Sequence, residues 1–343
     1  MKGESWPAGF PPIAWIVLMA AALFWRGAEG GDAAIDQIVA EMTQRIQTIT
    51  MAAAEDGVIP RFNQKKTVAC LNGEFRVEDN LSAGLRKGVF SRPASYPVML
   101  RFANATKMDD SEKDIRGLSI RIFNVEGQGL WGEPGVQDFL LNSYPALFVA
   151  TPEEFLAFIR ARQEGRKLSF FLNPFDSHLK SLMIVMRARK KHLSPLDIRY
   201  WSTVPYRLGE SGELAVKYSV TPCSAYRTQR VVDAGENQLR AAIKKHLQQD
   251  SACFQFGVQR QVDPESMPIE DATVVWDEEK SPFRTVATIT INNQAFDTPQ
   301  SLASCERSSF NPWQGIKAHE PLGRMNAVRQ QVYAEAAKLR NKE

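Results

Sequence analysis

Residues 96–102 read Tyr-Pro-Val-Met-Leu-Arg-Phe and residues 114–122 read Asp-Ile-Arg-Gly-Leu-Ser-Ile-Arg-Ile. Val98, Leu100 and Phe102 alternate with Met99 and Arg101, and Leu118, Ile120 and Ile122 alternate with Ser119 and Arg121. A period of two puts apolar side chains on one face of a strand and the others on the opposite face. The same period recurs outward from this centre. It marks Phe75 and Val77 on one side, then Val216, Tyr218 and Val220, Phe254, Phe256 and Val258, and Ala287, Ile289 and Ile291 on the other. Helical spacing separates and flanks these groups, over residues 32–55, 152–162, 178–191 and 324–342. The pattern predicts an α+β chain built on a large antiparallel sheet. So many strands leave unpaired edges unless the sheet closes, so a barrel is expected.

The chain has 343 residues, with 44% apolar and 24% charged, which excludes a disordered or fibrous polypeptide. Lys plus Arg exceed Asp plus Glu by only 3, too small a charge to indicate a nucleic-acid binder. Cys70, Cys223, Cys253 and Cys305 lie far apart without a CxxC pair, which speaks against zinc and against a disulfide-built scaffold. One or two bridges remain open, a Cys223–Cys253 pair among them.

Residues 1–31 differ from the rest. Gly9 to Trp25 carries no charge and is followed by Arg26. Ile13 to Trp25 has the length of a signal-peptide apolar region, and Ala28-Glu29-Gly30 offers a small-x-small cleavage site. Counted from Gly9, the run would span roughly 25 Å as a helix, marginally enough for a tilted or thin-bilayer anchor. A cleaved signal and a retained anchor are both open. Either implies a periplasmic or extracytoplasmic body, secreted or membrane-anchored, formed by residues 32–343 as a single domain.

Gly127-Gln128-Gly129-Leu130-Trp131-Gly132 is a literal GxGxxG, yet Pro134 and Gly135 follow where a phosphate-binding helix would have to start, so a loop is expected. No HExxH, GxSxG or P-loop string occurs. The basic run Arg187 to His192 reads as a solvated helix end, with contact to anionic lipid as the alternative if the body is anchored. The last helix is more informative. At 100° per residue, Arg329, Tyr333 and Arg340 fall within about 40° of arc, beside a core stripe of Met325, Val328, Val332 and Leu339. A tyrosine ligates ferric haem as phenolate, and a guanidinium one turn away favours that form.

Arg329-x-x-x-Tyr333 followed by Arg340, preceded by Ser309-Phe310-Asn311-Pro312-Trp313 and Pro321-Leu322-Gly323, resembles the proximal segment of the haem catalase family, above all its small catalase-like branch. Further segments agree in order. Arg61 with Gly73-Glu74-Phe75 resembles the first barrel strand and Tyr96 to Phe102 the second. Asp114 to Ile120 resembles the DxRG strand, Gln137 to Phe148 the distal asparagine segment, and Arg199 to Gly209 the branch's middle. The resemblance runs from Arg61 to Arg340. It implies an eight-stranded antiparallel barrel with surrounding helices, haem b (iron protoporphyrin IX) against the C-terminal helix, and a monomer or homodimer.

Carried over by residue, the resemblance makes Tyr333 the iron ligand and Arg329 the cation beside it. Arg61, Arg101 and Arg340 become clamps for the haem propionates. Asn142 becomes the distal asparagine, and Phe155 the phenylalanine at the distal face. One match fails. The family's His-x-Lys after the first clamp reads Gln64-Lys65-Lys66 here, and no histidine precedes His178. In catalases that imidazole moves a proton between the two peroxide oxygens; an amide hydrogen-bonds but cannot shuttle protons. Ala103 stands where the family carries a serine. The expected function is therefore a haem enzyme acting on organic or lipid hydroperoxides, with Gln64 and Asn142 as the distal pair and little hydrogen peroxide dismutation. The alternatives are a non-catalytic haem binder serving as sensor, carrier or assembly factor, and an ordinary catalase using another base. The partners expected are a small-molecule hydroperoxide, and a membrane through the N-terminal segment.

Overall fold

The computed structural model describes residues 34–210, 214–228, 231 and 234–341. The expected signal or anchor at residues 1–31 lies outside the described residues. Helix α1 covers residues 34–52. Strands β1 (Lys66–Val77), β2 (Ser95–Asn104), β3 (Arg116–Phe123), β4 (Gly129–Trp131) and β5 (Val136–Asn142) follow, then helices α2 (Pro152–Gln163), α3 (Lys167–Leu172) and α4 (Leu179–Ala188). The second group holds β6 (Tyr200–Trp201), β7 (Tyr206–Arg207), β8 (Ala215–Pro222), α5 (Gln238–Gln249), β9 (Ala252–Arg260) and β10 (Arg284–Ile291). Helix α6 (Pro299–Arg307), β11 (Gly315–Ile316) and α7 (Arg324–Asn341) complete the chain.

The strands pair antiparallel in the order β6-β5-β3-β2-β1-β10-β9-β8, and β6 pairs again with β8, which closes an eight-stranded barrel. β7 continues the ladder on β8. Closure removes the edges that the strand count made a liability. The alternation seen in the sequence separates two environments. Leu100, Phe102, Leu118, Ile120 and Leu141 are buried in the barrel's main apolar cluster. Phe139, Tyr218, Phe75 and Phe256 join them, with centroids 4.8 Å apart for Phe139–Tyr218 and 5.3 Å for Phe75–Phe256.

The other face of β2, β3 and β5 looks outward. Register pairs Arg101 with Ser119, Ala103 with Gly117, and Gly117 with Asn142, so these residues share that outer face. A second apolar layer covers the neighbouring helices: Val39, Met42 and Ile46 of α1 pack with Leu156 and Ile159 of α2 and with Val328 and Val332 of α7. Thr151 caps α2 by accepting from the Glu154 amide at 3.3 Å, and Pro152 opens it.

Some local expectations change. Gly129–Trp131 is not plain loop but a short strand paired with β11, and no helix follows it. Leu339 is half-buried, whereas Met325, Val328 and Val332 are core. Two disulfides form, Cys70–Cys305 and Cys223–Cys253. The first fastens α6 to β1. Among the described residues no helix is long and apolar enough to cross a membrane.

Candidate functional site

The approach to β1 builds one corner of the site. Gln64 adopts φ +56°, a left-handed conformation rare for a residue with a side chain, and the Asn63 carboxamide oxygen accepts from its amide at 2.9 Å. Such a residue costs about 1–3 kcal/mol, and strain of this kind gathers at functional positions. The turn lays the Gln64 side chain over Gly117. A Cβ on Gly117 would stand 2.1 Å from Gln64 Oε1, so glycine leaves room for the amide. Gln64 Nε2 donates to Asn142 Oδ1 at 3.0 Å, while Gln64 Oε1 is buried without a partner. Asn142 is Gly117's register partner, and Ala103 lies on Gly117's other side.

The chain's four histidines engage elsewhere. His319 Nε2 accepts from the Val89 amide at 3.0 Å, and its Nδ1 meets the Tyr218 hydroxyl at 2.8 Å. His246 bonds Thr228 at 3.0 Å, and His178 bonds the Phe170 carbonyl at 3.0 Å. His192 stands near Arg116, whose side chain leaves β3 on the face opposite Gly117's.

Of the three arginines expected to clamp the propionates, Arg61 and Arg340 meet at the end of α6 and Arg101 lies nearby. Arg61 binds the Glu306 carboxylate at 2.6 Å and donates to the Ser308 carbonyl at 2.6 Å. Arg340 donates to the same carbonyl at 3.4 Å and to Ser309 Oγ at 2.9 Å. Arg101 donates to Thr67 Oγ1 at 2.7 Å and to the Gln64 carbonyl at 3.0 Å, tying the cluster to the Gln64 corner. Burial, then repulsion from Arg61 and Arg340, pulls the Arg101 guanidinium down to about 9. Arg61 pairs with the Glu306 carboxylate, and Arg101 lies within the field of Arg61, Glu306 and Arg340. Guanidinium groups gathered in this way suit a ligand that carries carboxylates.

On α7, Arg329 Nη2 lies 3.4 Å from the Tyr333 hydroxyl, with its guanidinium carbon 5.2 Å from the ring centre. Asn326, buried and unremarked in the sequence, holds this pair in place. Its Oδ1 accepts from Arg329 at 3.0 Å, and its Nδ2 donates to the carbonyls of Pro205 and Leu322 at 2.9 Å each. Tyr206, whose phenol burial pushes up to about 12, interacts electrostatically with Arg329 and Tyr333. Tyr333 itself keeps 36% of its surface open, so its phenol can be reached. Phe155 of α2 packs edge-on against Phe148 at 6.1 Å and also joins the layer that includes Val332, next to Tyr333, and Phe62, next to Arg61.

A second outer-face pair carries no motif in the sequence. Arg121 grips Asp138 through two bonds of 2.7 Å, and Asp138 accepts from the Asn311 amide at 3.1 Å. This fixes the segment between α6 and β11, where Arg61 bonds the Ser308 carbonyl and Arg340 the Ser309 hydroxyl. The one signal for it in sequence is a pair of charges on the outward face of two strands.

The barrel with this arrangement of helices matches solved structures over 83% of the chain. They include a bacterial catalase (17% identity, TM-score 0.66, 58% of that chain), a fungal catalase (17%, 0.65, 60%) and catalase A from Saccharomyces cerevisiae (18%, 0.65, 62%). The chain has the catalase fold. It spans about three fifths of the length of those structures. No family model and no curated protein matches the sequence. Against the outer face of this catalase-fold barrel lie a phenol beside a guanidinium, three further arginines, one of them bonded to an acid, and a buried amide oxygen with no hydrogen-bond partner among the described residues. That donor set suits a flat iron porphyrin bearing two propionates.

Proposed function

We propose that this chain is a haem protein that acts on organic, especially lipid, hydroperoxides as a peroxidase or as a hydroperoxide isomerase or dehydratase, with weak or no hydrogen peroxide dismutation. The observation that carries the reading is the Gln64–Asn142 amide pair over Gly117, at the position where the resemblance expects a histidine. Haem, when bound, would supply an iron centre able to cleave the O–O bond.

The residues divide the remaining work. Arg61, Arg101 and Arg340 would bind the propionates by charge-assisted hydrogen bonds and set the orientation of the ring. Tyr333 would hold the iron as phenolate, with Arg329 stabilising its negative charge and Asn326 aiming Arg329. Phe155 would exclude water from the distal face. Asn142 and Gln64 would hydrogen-bond the hydroperoxide oxygens. Neither amide can take a proton from one oxygen and return it to the other, which removes a contribution of roughly 10²- to 10⁴-fold. Two disulfides suit an oxidising compartment, which supports a periplasmic or extracytoplasmic location.

One observation favours a non-catalytic haem binder as the second reading. The two distal amides already bond to each other. Fatty-acid hydroperoxide added to hemin-loaded protein separates the readings. Conversion to product supports the enzyme, intact haem without turnover supports the binder, and oxygen release from hydrogen peroxide at a catalase rate would contradict both.

A further inference from the structure

We infer that the α3–α4 face is a docking surface for an anionic lipid bilayer. Seven lysines and arginines against one aspartate give residues 165–193 a net charge of +6, when the whole chain carries +3 and the remainder therefore −3. The excess of positive over negative charge thus falls in this segment, where Arg166 pairs with Glu164 and Lys180 with Asp271 and the other cations have no ion pair among the described residues. Arg166, Lys167, Lys180, Arg187, Lys190 and Lys191 are all exposed.

Interleaved with these cations is exposed apolar surface: Leu168 (71%), Leu172 (54%), Phe175 (97%), Leu179 (54%), Met183 (50%) and Met186 (70%). Leu179, Met183 and Met186 lie within about 60° of arc on α4, opposite the buried Ser181, Ile184 and Ala188. On α3 the inner side is aromatic. Phe170 and Phe171 pack on Phe158 of α2 with centroids 5.4 and 6.1 Å away, so Leu168 and Leu172 are held facing out. A protein soluble on every side rarely exposes a contiguous patch of this kind. An apolar row edged by lysine and arginine is the pattern that enters the headgroup region of an acidic bilayer.

The surroundings favour a bilayer over a second protein. α1 lies along α2 through Glu41–Arg160 at 2.5 Å and Arg45–Gln163 at 2.7 Å, and α2 leads directly into α3. The uncharged run Ile13 to Trp25 precedes α1 by only eight residues, 26–33. A membrane met by that run would be kept near the body, within eight residues of the start of α1. The surface inference stands apart from the haem reading. Failure to bind hemin would leave it untouched.

The test is backbone hydrogen exchange on the full chain with vesicles of phosphatidylcholine alone and with about one third phosphatidylglycerol. Amides of residues 166–191 should exchange at least about fivefold more slowly with the acidic vesicles, the factor expected for even one lysine near a charged surface. Phe175→Glu with Met183→Glu, both at exposed positions, should abolish that protection, and so should Lys190→Glu with Lys191→Glu. Exchange in β1–β3 should stay unchanged, which shows that the variants fold. Equal exchange with the two vesicle types would overturn the inference. So would protection that grows with protein concentration in the absence of lipid, since that would make the partner a second copy.

Discussion

Gln64 Nε2 donates a 3.0 Å hydrogen bond to Asn142 Oδ1 across 78 residues of sequence. The bond joins the turn before β1 to the end of β5, and the missing side chain of Gly117 makes it possible. Replacing Gly117 by Ala should drive the amide out of its place. The expected cost is about 1–3 kcal/mol in urea unfolding, as for an overpacked core. Adding Gln64→Ala to that variant should recover most of the loss, because the clash needs both side chains. Additive costs would show that the two residues do not meet.

Exchanging the amide for an imidazole addresses the chemistry at the same spot. Gln64→His in hemin-loaded protein should raise oxygen evolution from hydrogen peroxide by on the order of 10²-fold, the lower range for a general acid–base group. An oxygen electrode reads this directly. An unchanged rate at equal haem content would contradict the assignment of the distal corner.

Much of this corner was legible in the sequence because the strands are two-faced. Leu100 and Phe102 had to face a core, which left Arg101 and Ala103 together on the other side with Gly117 and Asn142. What stayed hidden depends on distant contacts. β6 closes the barrel with two residues, too short for any alternation to show. Asn326 looks like an ordinary polar position until its bonds to Arg329 and to the Pro205 carbonyl are seen. The left-handed turn at Gln64 has no glycine to announce it. Cys70 and Cys305 are 235 residues apart, and spacing alone cannot pair them.

That disulfide carries its own prediction. It holds α6 on β1, and α6 presents Glu306 and Ser308 to Arg61. Cys305→Ser should cost roughly 2–5 kcal/mol of stability. It should also weaken hemin affinity by loosening the clamp segment. Thermal unfolding and hemin titration with and without the substitution measure both effects, and an unchanged hemin affinity would detach the clamps from α6.

His319 predicts a pH dependence. Burial pulls its imidazole down to about 3, so the folded protein keeps it neutral while the unfolded chain protonates it near 6.5. The unfolded state then binds more protons between these values. The stability from neutral burial is full above about pH 6.5 and is lost as pH falls toward 3. At pH 5 the loss is about 2 kcal/mol. Urea midpoints at pH 7 and pH 5 should differ less in His319→Gln than in the parent chain. Equal differences would place the acid sensitivity elsewhere.

The proposed function needs Tyr333 to hold an iron porphyrin whose propionates Arg61, Arg101 and Arg340 clamp. Hemin titrated into the purified chain and followed in the Soret region should saturate at one per chain, with a spectrum that Tyr333→Phe abolishes or strongly alters. A chain that takes up no hemin, or a bound spectrum indifferent to loss of the phenol, would contradict it.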